Sequence, residues 1–549
     1  MAKYSIGLDF GTLSVRALLL DIHSGEEIGV SVYNYPHGII TKKTASDINI
    51  SSEMALQHPE DYINGLIYTV TDIIKKTRVC ATDIVGIGVG FTASTILPVT
   101  NEGIPLCYFP EFKNNPHSYV KLWKHHSAEK EARHIEKIAK QRKEKWLPLC
   151  GNKISSELLL PKVLETLKKA PTVYSAADRY IEAMDWIVWQ LTGKESRSIN
   201  ALKYKAFFNQ KKGWITSDFL KAVDPQLEDF VTNKLYAPVK EVGETAGGLS
   251  EEMAVKLGLV SGIPVGTPII DAHACILGSG ITKPMEMIMI AGTSFCHYTF
   301  GNETEVNGIC SVISDGILPG YTAFEAGQSG GGDHFEWFAK NCIPWSYEQE
   351  AKENKISVYK LLAEKLSNYH VGESGLIALD WFNGVRSPYI DFDLSGLILG
   401  LNLQTKPEEI YLSLIEATAY GTKRIVEEFE VSGLKIKDVC FCGGIPLKDA
   451  FFVQVFADVL GREIKVISSK QSGARGAAIL GVSAASNQVS GYNNLTEIVE
   501  KLGNKCGKIY TPNMDNTIAY NKLYKEYIIL CEYFAKQNSI MKKIKNSKF

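Results

Sequence analysis

Asp9 stands two residues before Gly11-Thr12, at the end of an apolar run that reads as a buried strand. A carboxylate placed there can hold Mg2+, directly or through water, beside phosphates cradled by the turn that follows. Aspartates also cap their own turns. A second turn of the same kind tips the reading toward the metal. Tyr4–Asp21 and Met285–Phe300, about half a chain apart, each show an apolar strand, a Gly-Thr turn and a second apolar strand. Glycine lets backbone approach a ligand closely, so Gly11-Thr12 and Gly292-Thr293 can each offer amide N–H groups and a hydroxyl to an anion. One such turn is ordinary hairpin chemistry. A matched pair is better explained by duplication, with two turns gripping a nucleotide's phosphates from both sides.

Asp271 ends the run Val-Gly-Thr-Pro-Ile-Ile-Asp. A lone carboxylate at a strand end can accept the proton of an attacking hydroxyl while a phosphoryl group is transferred, or it can cap the next turn; spacing leaves both open. His273, two residues on, would share its face if the strand continued, as a helper or as a satisfied structural histidine. Gly443-Gly444 closes a strand before a helix, where bare backbone suits an adenosine or α-phosphate contact. Gly330–Gly332 either admits a ligand or lets Asp333 cap the next helix.

The elements that must carry these residues alternate between strand and helix. After the opening hairpin, Ile28–Tyr33 reads as a third strand, and Pro59–Thr77 as a helix with Tyr62, Leu66, Val70 and Ile74 on one face. Ile84–Gly88 is a short buried strand, so the rhythm implies a mainly parallel sheet with helices packed on it. Residues of about 100–230 read as an insertion on this first core, with helices over Ser156–Leu167 and Ala176–Thr192, and insertions often carry selectivity. A second α/β unit opens near Val265–Ile270. It continues through an amphipathic helix over Pro407–Val431, a strand at Val439–Cys442, a helix over Ala450–Val459, a strand at Ile464–Ile467 and a small-residue helix over Gly473–Ser486. From Ile518 onward the pattern is a helix with a lysine-rich tail.

The chain has 549 residues, too many for one core, which points to two large domains. Hydrophobic content of 45% and charge of 22% are those of a soluble globular enzyme. A net charge of −2 supplies no field for nucleic acid or an anionic membrane. No apolar run approaches the ~20 residues that span a bilayer. The start runs straight into a strand without a signal peptide, and the eleven scattered cysteines suit free thiols in a reducing cytoplasm. Walker A, G-x-G-x-x-G, H-E-x-x-H and G-x-S-x-G patterns are all missing, which removes their enzyme classes.

The duplicated hairpin with Asp9 and Asp271 resembles the actin/hexokinase superfamily. The stretches GLDFGTLSVRALLLD, FTASTILPV, GNKISSELLLPK, AADRYIEAMDWIVWQLTGKE, YTAFEAGQSG, ALDWFNGVRSP and KPEEIYLSLIEATAYGTKRIVEEF resemble the FGGY family of carbohydrate kinases, and within it the members acting on L-ribulose at O5. The resemblance implies a two-domain α/β fold built on a duplicated ribonuclease-H-like core, with a substrate cleft between lobes. Residues 1–275 would form the sugar-binding and catalytic domain, and 276–549 the nucleotide-binding domain with a C-terminal helix. It implies Mg-ATP as phosphoryl donor and in-line transfer to a ketopentose, L-ribulose to L-ribulose 5-phosphate in L-arabinose catabolism, by a cytoplasmic enzyme. A kinase for D-ribulose, xylulose or ribitol, or a catalytically weak sugar sensor, would use the same fold; a homodimer is compatible with it.

Carried over position by position, the resemblance makes Asp271 the general base and Asp9 the metal residue. It places Ala93, Lys205 and Glu325 around the sugar, with Trp123 and Lys124 in a segment near it. Gly11, Thr12, Gly292 and Thr293 would meet the terminal phosphates, and Gly443, Gly444 and Asp449 the rest of ATP. Four positions depart from the family pattern. Gly90 replaces an acidic residue, Phe295 replaces a threonine beside the second turn, Asp449 stands for Asn, and Arg475 enters a small-residue run. The expectations attached to them are an altered sugar pocket at Gly90, bulk beside the phosphate turn at Phe295, and an added cation near the nucleotide at Arg475.

Overall fold

The computed structural model describes residues 3–41, 50–51, 53–209, 213–302, 306, 308–504 and 507–546. Its backbone gathers into two compact units. The first comprises Met1–Thr282, Ile313–Tyr321 and Gln471–Asn504, and the second comprises Lys283–Val312, Thr322–Lys470 and Lys505–Phe549. The units are therefore discontinuous, unlike a single cut at 275/276.

In the first unit the strands lie in the order Thr245–Gly248, Pro264–Gly266, Ile84–Phe91, Tyr4–Phe10, Ser14–Asp21 and Glu27–Asn34. The last three form an antiparallel meander, while Tyr4–Phe10 and Pro264–Gly266 run parallel to Ile84–Phe91. Ile84–Phe91 is buried along its whole length, the mark of a central parallel strand covered on both faces. The helix Pro59–Thr77 forms where its spacing predicts, with Pro59 in the first turn, acidic Glu60 and Asp61 beside it, and Lys75 and Lys76 in the last turn. Its core face is Tyr62, Leu66, Val70 and Ile73, one residue before the expected Ile74.

The helix Ser472–Ala484 returns to this first sheet because it and the strands are nearly bare at their contact. A Cβ on Gly86 would fall 1.9 Å from the Gly481 carbonyl, and one on Gly88 1.8 Å from that of Ala477. The same helix meets Asp271–Gly278, where a Cβ on Gly476 would lie 1.8 Å from the Ala274 carbonyl. Backbone thus packs on backbone, which no larger side chain would allow. The block expected as an insertion builds an apolar cluster of its own, including Val163, Leu164, Tyr180, Phe219 and Phe230.

In the second unit Thr322–Gln328, Phe295–Gly301, Glu286–Ala291, Asp438–Cys442, Ile464–Val466 and Ile509–Tyr510 follow in that order. The first three are antiparallel, and Asp438–Cys442 runs parallel to both Glu286–Ala291 and Ile464–Val466. Strand for strand this repeats the first sheet: a three-strand meander, then two parallel strands beside its first member. The 25-residue helix Pro407–Val431 buries Leu414, Ile415 and Phe429 in a core shared with Phe441 and Phe456. Among the described residues no helix is long and apolar enough to cross a membrane, and the cysteines are free thiols.

Candidate active site

In the first unit Asp9 faces Arg16 across the hairpin, with Arg16 Nη1 3.8 Å from its Oδ2. Its neighbour on the parallel side is Gly90, which also pairs with Ile269. Ile269–Ile270 ends there and the chain turns at once into the helix Asp271–Gly278. Asp9 and Asp271 therefore leave the sheet at the same carboxyl edge, where open α/β sheets bind ligands. Burial pushes Asp9 up to about 6, opposed by Arg16. Burial, and then the charge of Asp9, push Asp271 up to about 7, opposed by the Ala272 N–H and the Lys205 cation. The Ala272 N–H donates to Asp271 Oδ1 at 2.7 Å, fixing one carboxylate oxygen. The helix Ser472–Ala484 starts against Asp9, since a Cβ on Gly473 would lie 2.8 Å from Asp9 Oδ2.

His273 does not share a face with Asp271, because a helix and not a strand begins there. It is buried, its Nδ1 lies 2.9 Å from Asn200 Nδ2, and burial holds it well below the usual histidine range. It is a neutral structural residue. Ala93 follows the central strand, half-buried, and Lys205 closes the helix Ile199–Lys205. Two contacts on Thr12 add a residue that the spacing did not single out. Trp123 donates its indole N–H to Thr12 Oγ1 at 3.2 Å, and Gln57 donates its amide to the Thr12 carbonyl at 2.7 Å. Gln57 sits just before the cap of Pro59–Thr77, its only sequence signal.

Each Gly-Thr turn closes itself with the glycine's own amide: Gly11 N–H donates to the Ser14 carbonyl at 2.9 Å, and Gly292 N–H to that of Ser294 at 3.2 Å. The glycine amides are thus turn-formers and not anion donors. In the second unit three glycine segments converge. Gly332 N–H donates to the Gly292 carbonyl at 2.9 Å, and Asp333 N–H to that of Thr293 at 3.3 Å. Asp333 Oδ1 accepts the Gly331 and His334 N–H groups, so capping is one half of the answer for Gly330–Gly332. The other half is the turn itself, since a Cβ on Gly332 would lie 2.8 Å from the Gly292 carbonyl. Gly443 has φ +116°, and a Cβ on it would lie 2.4 Å from the Ala291 carbonyl, whereas Gly444 faces open space. Asp449 caps Ala450–Leu460 through Phe452 N–H at 3.0 Å and accepts from the Tyr411 hydroxyl at 3.1 Å. Glu325, half-buried, lies on Thr322–Gln328 opposite Tyr298.

Two expectations about the departures are corrected, at Arg475 and Gly90. Arg475 is not a cation for a nucleotide: it is buried against Glu27 and the carbonyls of Gly25 and Leu502. Phe295 does put its bulk beside the turn: its ring is fully buried, meets Phe452 edge-on at 6.0 Å, and would stand 2.7 Å from a Cβ on Gly331, which would itself lie 2.8 Å from the Thr293 carbonyl. Gly90 faces a helix, with a would-be Cβ 3.2 Å from that of Ala274, so a carboxylate there would enter packing.

The N-terminal domain of the FGGY family of carbohydrate kinases matches residues 4–278, and the C-terminal domain of that family matches residues 287–485. A ribulokinase of Halalkalibacterium halodurans is 46% identical over 546 residues, covering 99% of this chain and 97% of its own. A ribulokinase of Geobacillus thermodenitrificans is 42% identical over 549 residues, covering 100% and 97%. Among solved structures, a gluconate kinase from Lactobacillus acidophilus superposes with a TM-score of 0.79 at 19% identity, over 98% of this chain and 100% of that one. A glycerol kinase from Plasmodium falciparum with ADP gives 0.73 at 16%, over 97% and 98%. These two likenesses speak for the fold.

Proposed function

The chain belongs to the FGGY family of carbohydrate kinases, and on that premise we propose that it transfers the γ-phosphoryl group of Mg-ATP to O5 of L-ribulose. The sugar is supported by full-length similarity to proteins named ribulokinase. The chemistry is supported by one observation above all: Asp9 and Asp271 stand at the ends of the two strands that flank Ile84–Phe91 in one sheet, and the charge of Asp9 bears on Asp271.

With Oδ1 held by Ala272, Asp271 has its other oxygen for the acceptor hydroxyl. A protonation range near neutrality suits a general base, which must be ionised at rest and able to take a proton in the transition state. The hydroxyl oxygen bonds to the γ-phosphorus, its proton passes to Asp271, and the bond from that phosphorus to the departing ADP oxygen breaks. Lys205 and Glu325 would bond the sugar hydroxyls and so choose which carbon presents its oxygen, while Ala93 gives the small surface against which the sugar rests. Thr12 and Thr293 would hold the terminal phosphates through hydroxyl and amide groups, and Gly444 leaves room for the nucleotide.

Among the described residues no three His, Cys, Asp or Glu side chains gather as a metal site. The donors at the strand ends are carboxylate oxygens, which fits an ion that takes its other ligands from water and phosphate. Asp9, ionised above about pH 6, would hold Mg2+. Bound there, the ion neutralises charge on the phosphates.

ADP release measured over L-ribulose, D-ribulose, xylulose and ribitol tests the assignment. The highest kcat/KM is expected for L-ribulose. A higher value for another sugar replaces the substrate, and tight sugar binding without a phosphorylated product would make the chain a sensor.

A further inference from the structure

Lys162, on the helix Leu159–Lys169, has no exposed surface, yet its ammonium is spent on two backbone carbonyls. It donates to the Ser94 carbonyl at 2.5 Å and to the Leu122 carbonyl at 2.7 Å. Ser94 follows Ala93, and Leu122 precedes Trp123, so one buried cation joins two segments assigned to the sugar side. Ser94 has φ +50°, a conformation that a residue with a Cβ holds only when its surroundings enforce it. Glu182 enforces it from another strand: its Oε2 accepts the Thr95 N–H at 2.9 Å, and the Thr95 carbonyl accepts the Ala183 N–H at 2.6 Å. Leu56–Gln57, Val120–Lys121, Ile96–Val99 and Arg179–Glu182 form one small sheet in that order, and all these contacts sit at its strand ends. From Leu122 the path reaches the phosphate turn in one step, through the Trp123 indole on Thr12.

We propose that Lys162 is a positioning residue that locks the Ala93 segment to the Trp123 segment and thereby sets how tightly the acceptor sugar is held. This rests on the kinase reading above. Burial lowers the proton affinity of Lys162 and raises that of Glu182, while the opposite charge of each pulls the other back. A buried ammonium of this kind is costly unless it holds something, and replacing it by an apolar chain would strip the Ser94 carbonyl of its donor and leave the Leu122 carbonyl with the His125 N–H alone.

Lys162→Met shortens the unbranched side chain by one atom and removes its donors. The expected result is a sugar KM raised about tenfold or more, with the ATP KM within about twofold of wild type. Hydrogen exchange should also quicken in peptides spanning 92–96 and 120–125. A folded variant with an unchanged sugar KM overturns the proposal, whatever its melting temperature, and so does a parallel rise in both KM values. Should Lys162→Met fail to fold, Glu182→Gln decides: its amide oxygen still accepts from Thr95, but the counter-charge is gone. A sugar KM raised several-fold supports the clamp, and an unchanged one overturns it. If the wild-type protein phosphorylates no sugar, the kinase reading fails by itself. Exchange still tests the clamp in that case, and unaltered protection of both segments would refute it.

Discussion

Arg475 donates from Nε and Nη2 to one carboxylate oxygen of Glu27, at 3.1 and 2.9 Å, and from Nη1 to the carbonyls of Gly25 and Leu502 at 2.9 and 2.7 Å. A residue that looked like a stray cation in a run of small residues is a pin. It ties the helix Ser472–Ala484 to the turn and the strand Glu27–Asn34 that follow the opening hairpin, and to the end of the helix Leu495–Leu502. Arg475→Met should therefore cost about 2–3 kcal/mol of stability, because it strips a charged pair and leaves two carbonyls unmet. The ATP KM should stay within about twofold of wild type. Urea unfolding and steady-state kinetics read the two effects. A large rise in ATP KM at unchanged stability would restore Arg475 to the nucleotide.

Asp271 owes its raised protonation range to burial first and to Asp9 second. A base must be ionised to act, so kcat/KM should climb with pH below about 7 and level off above it. Lys205 holds the range down, and Lys205→Met should move the midpoint of the remaining activity upward. Asp271→Ala should lower turnover at least about 10²-fold while leaving nucleotide binding nearly intact. Retention of more than about a tenth of the wild-type rate would remove Asp271 from the role of base.

The same carboxylate should weaken the fold when ionised. Its ordinary value is 3.8 and its folded value about 7, so the folded state binds the proton more tightly than the unfolded state does. Between those limits the folded protein carries more protons, and stability falls as pH rises. The cost is absent below about pH 4 and complete above about 7. Asp271→Asn removes it while keeping an oxygen for the Ala272 N–H. The variant should melt above wild type at pH 8, with the gap narrowing as pH falls toward 4. A gap independent of pH would contradict the linkage. Such a trade between stability and chemistry is common where a site needs a buried charge.

Local patterning carried much of the architecture. Pro59–Thr77 and Pro407–Val431 form over the expected spans because apolar periodicity and terminal signals agree within each segment. The two hairpins were legible for the same reason, and their repetition announced the duplicated sheet. Long-range packing was not legible. Arg179–Glu182 is a strand although the pattern predicts a helix over Ala176–Thr192, because Ile96–Val99 is there to pair with it. The return of Gln471–Asn504 to the first unit depends on glycines far apart in sequence meeting face to face. At the site, Asp9 and Asp271 could be read as two strand ends but not as interacting charges. The structural reading of His273 holds, and it shares no face with Asp271 because the switch from strand to helix falls on Asp271 itself. Gln57 and Lys162 act through backbone carbonyls, and no spacing rule reports a partner of that kind.

Gly332 gives the sharpest test of the second turn. Its amide donates to the Gly292 carbonyl, and a Cβ would stand 2.8 Å from that same oxygen. Real Cβ contacts are not so short against backbone, so Gly332→Ala must push the Gly292-Thr293 turn away or break the bond that seats it. Gly444, by contrast, has no atom within 4 Å of a would-be Cβ. If the turn holds the terminal phosphates as proposed, Gly332→Ala should raise the ATP KM by an order of magnitude and leave the sugar KM nearly unchanged. Gly444→Ala should leave the melting temperature unaltered, because the new methyl group meets no protein atom, and it should raise the ATP KM only if the nucleotide occupies that open space. Isothermal titration with a non-hydrolysable ATP analogue separates the outcomes. Wild-type affinity in a folded Gly332→Ala variant would show that the turn does not bear on the nucleotide.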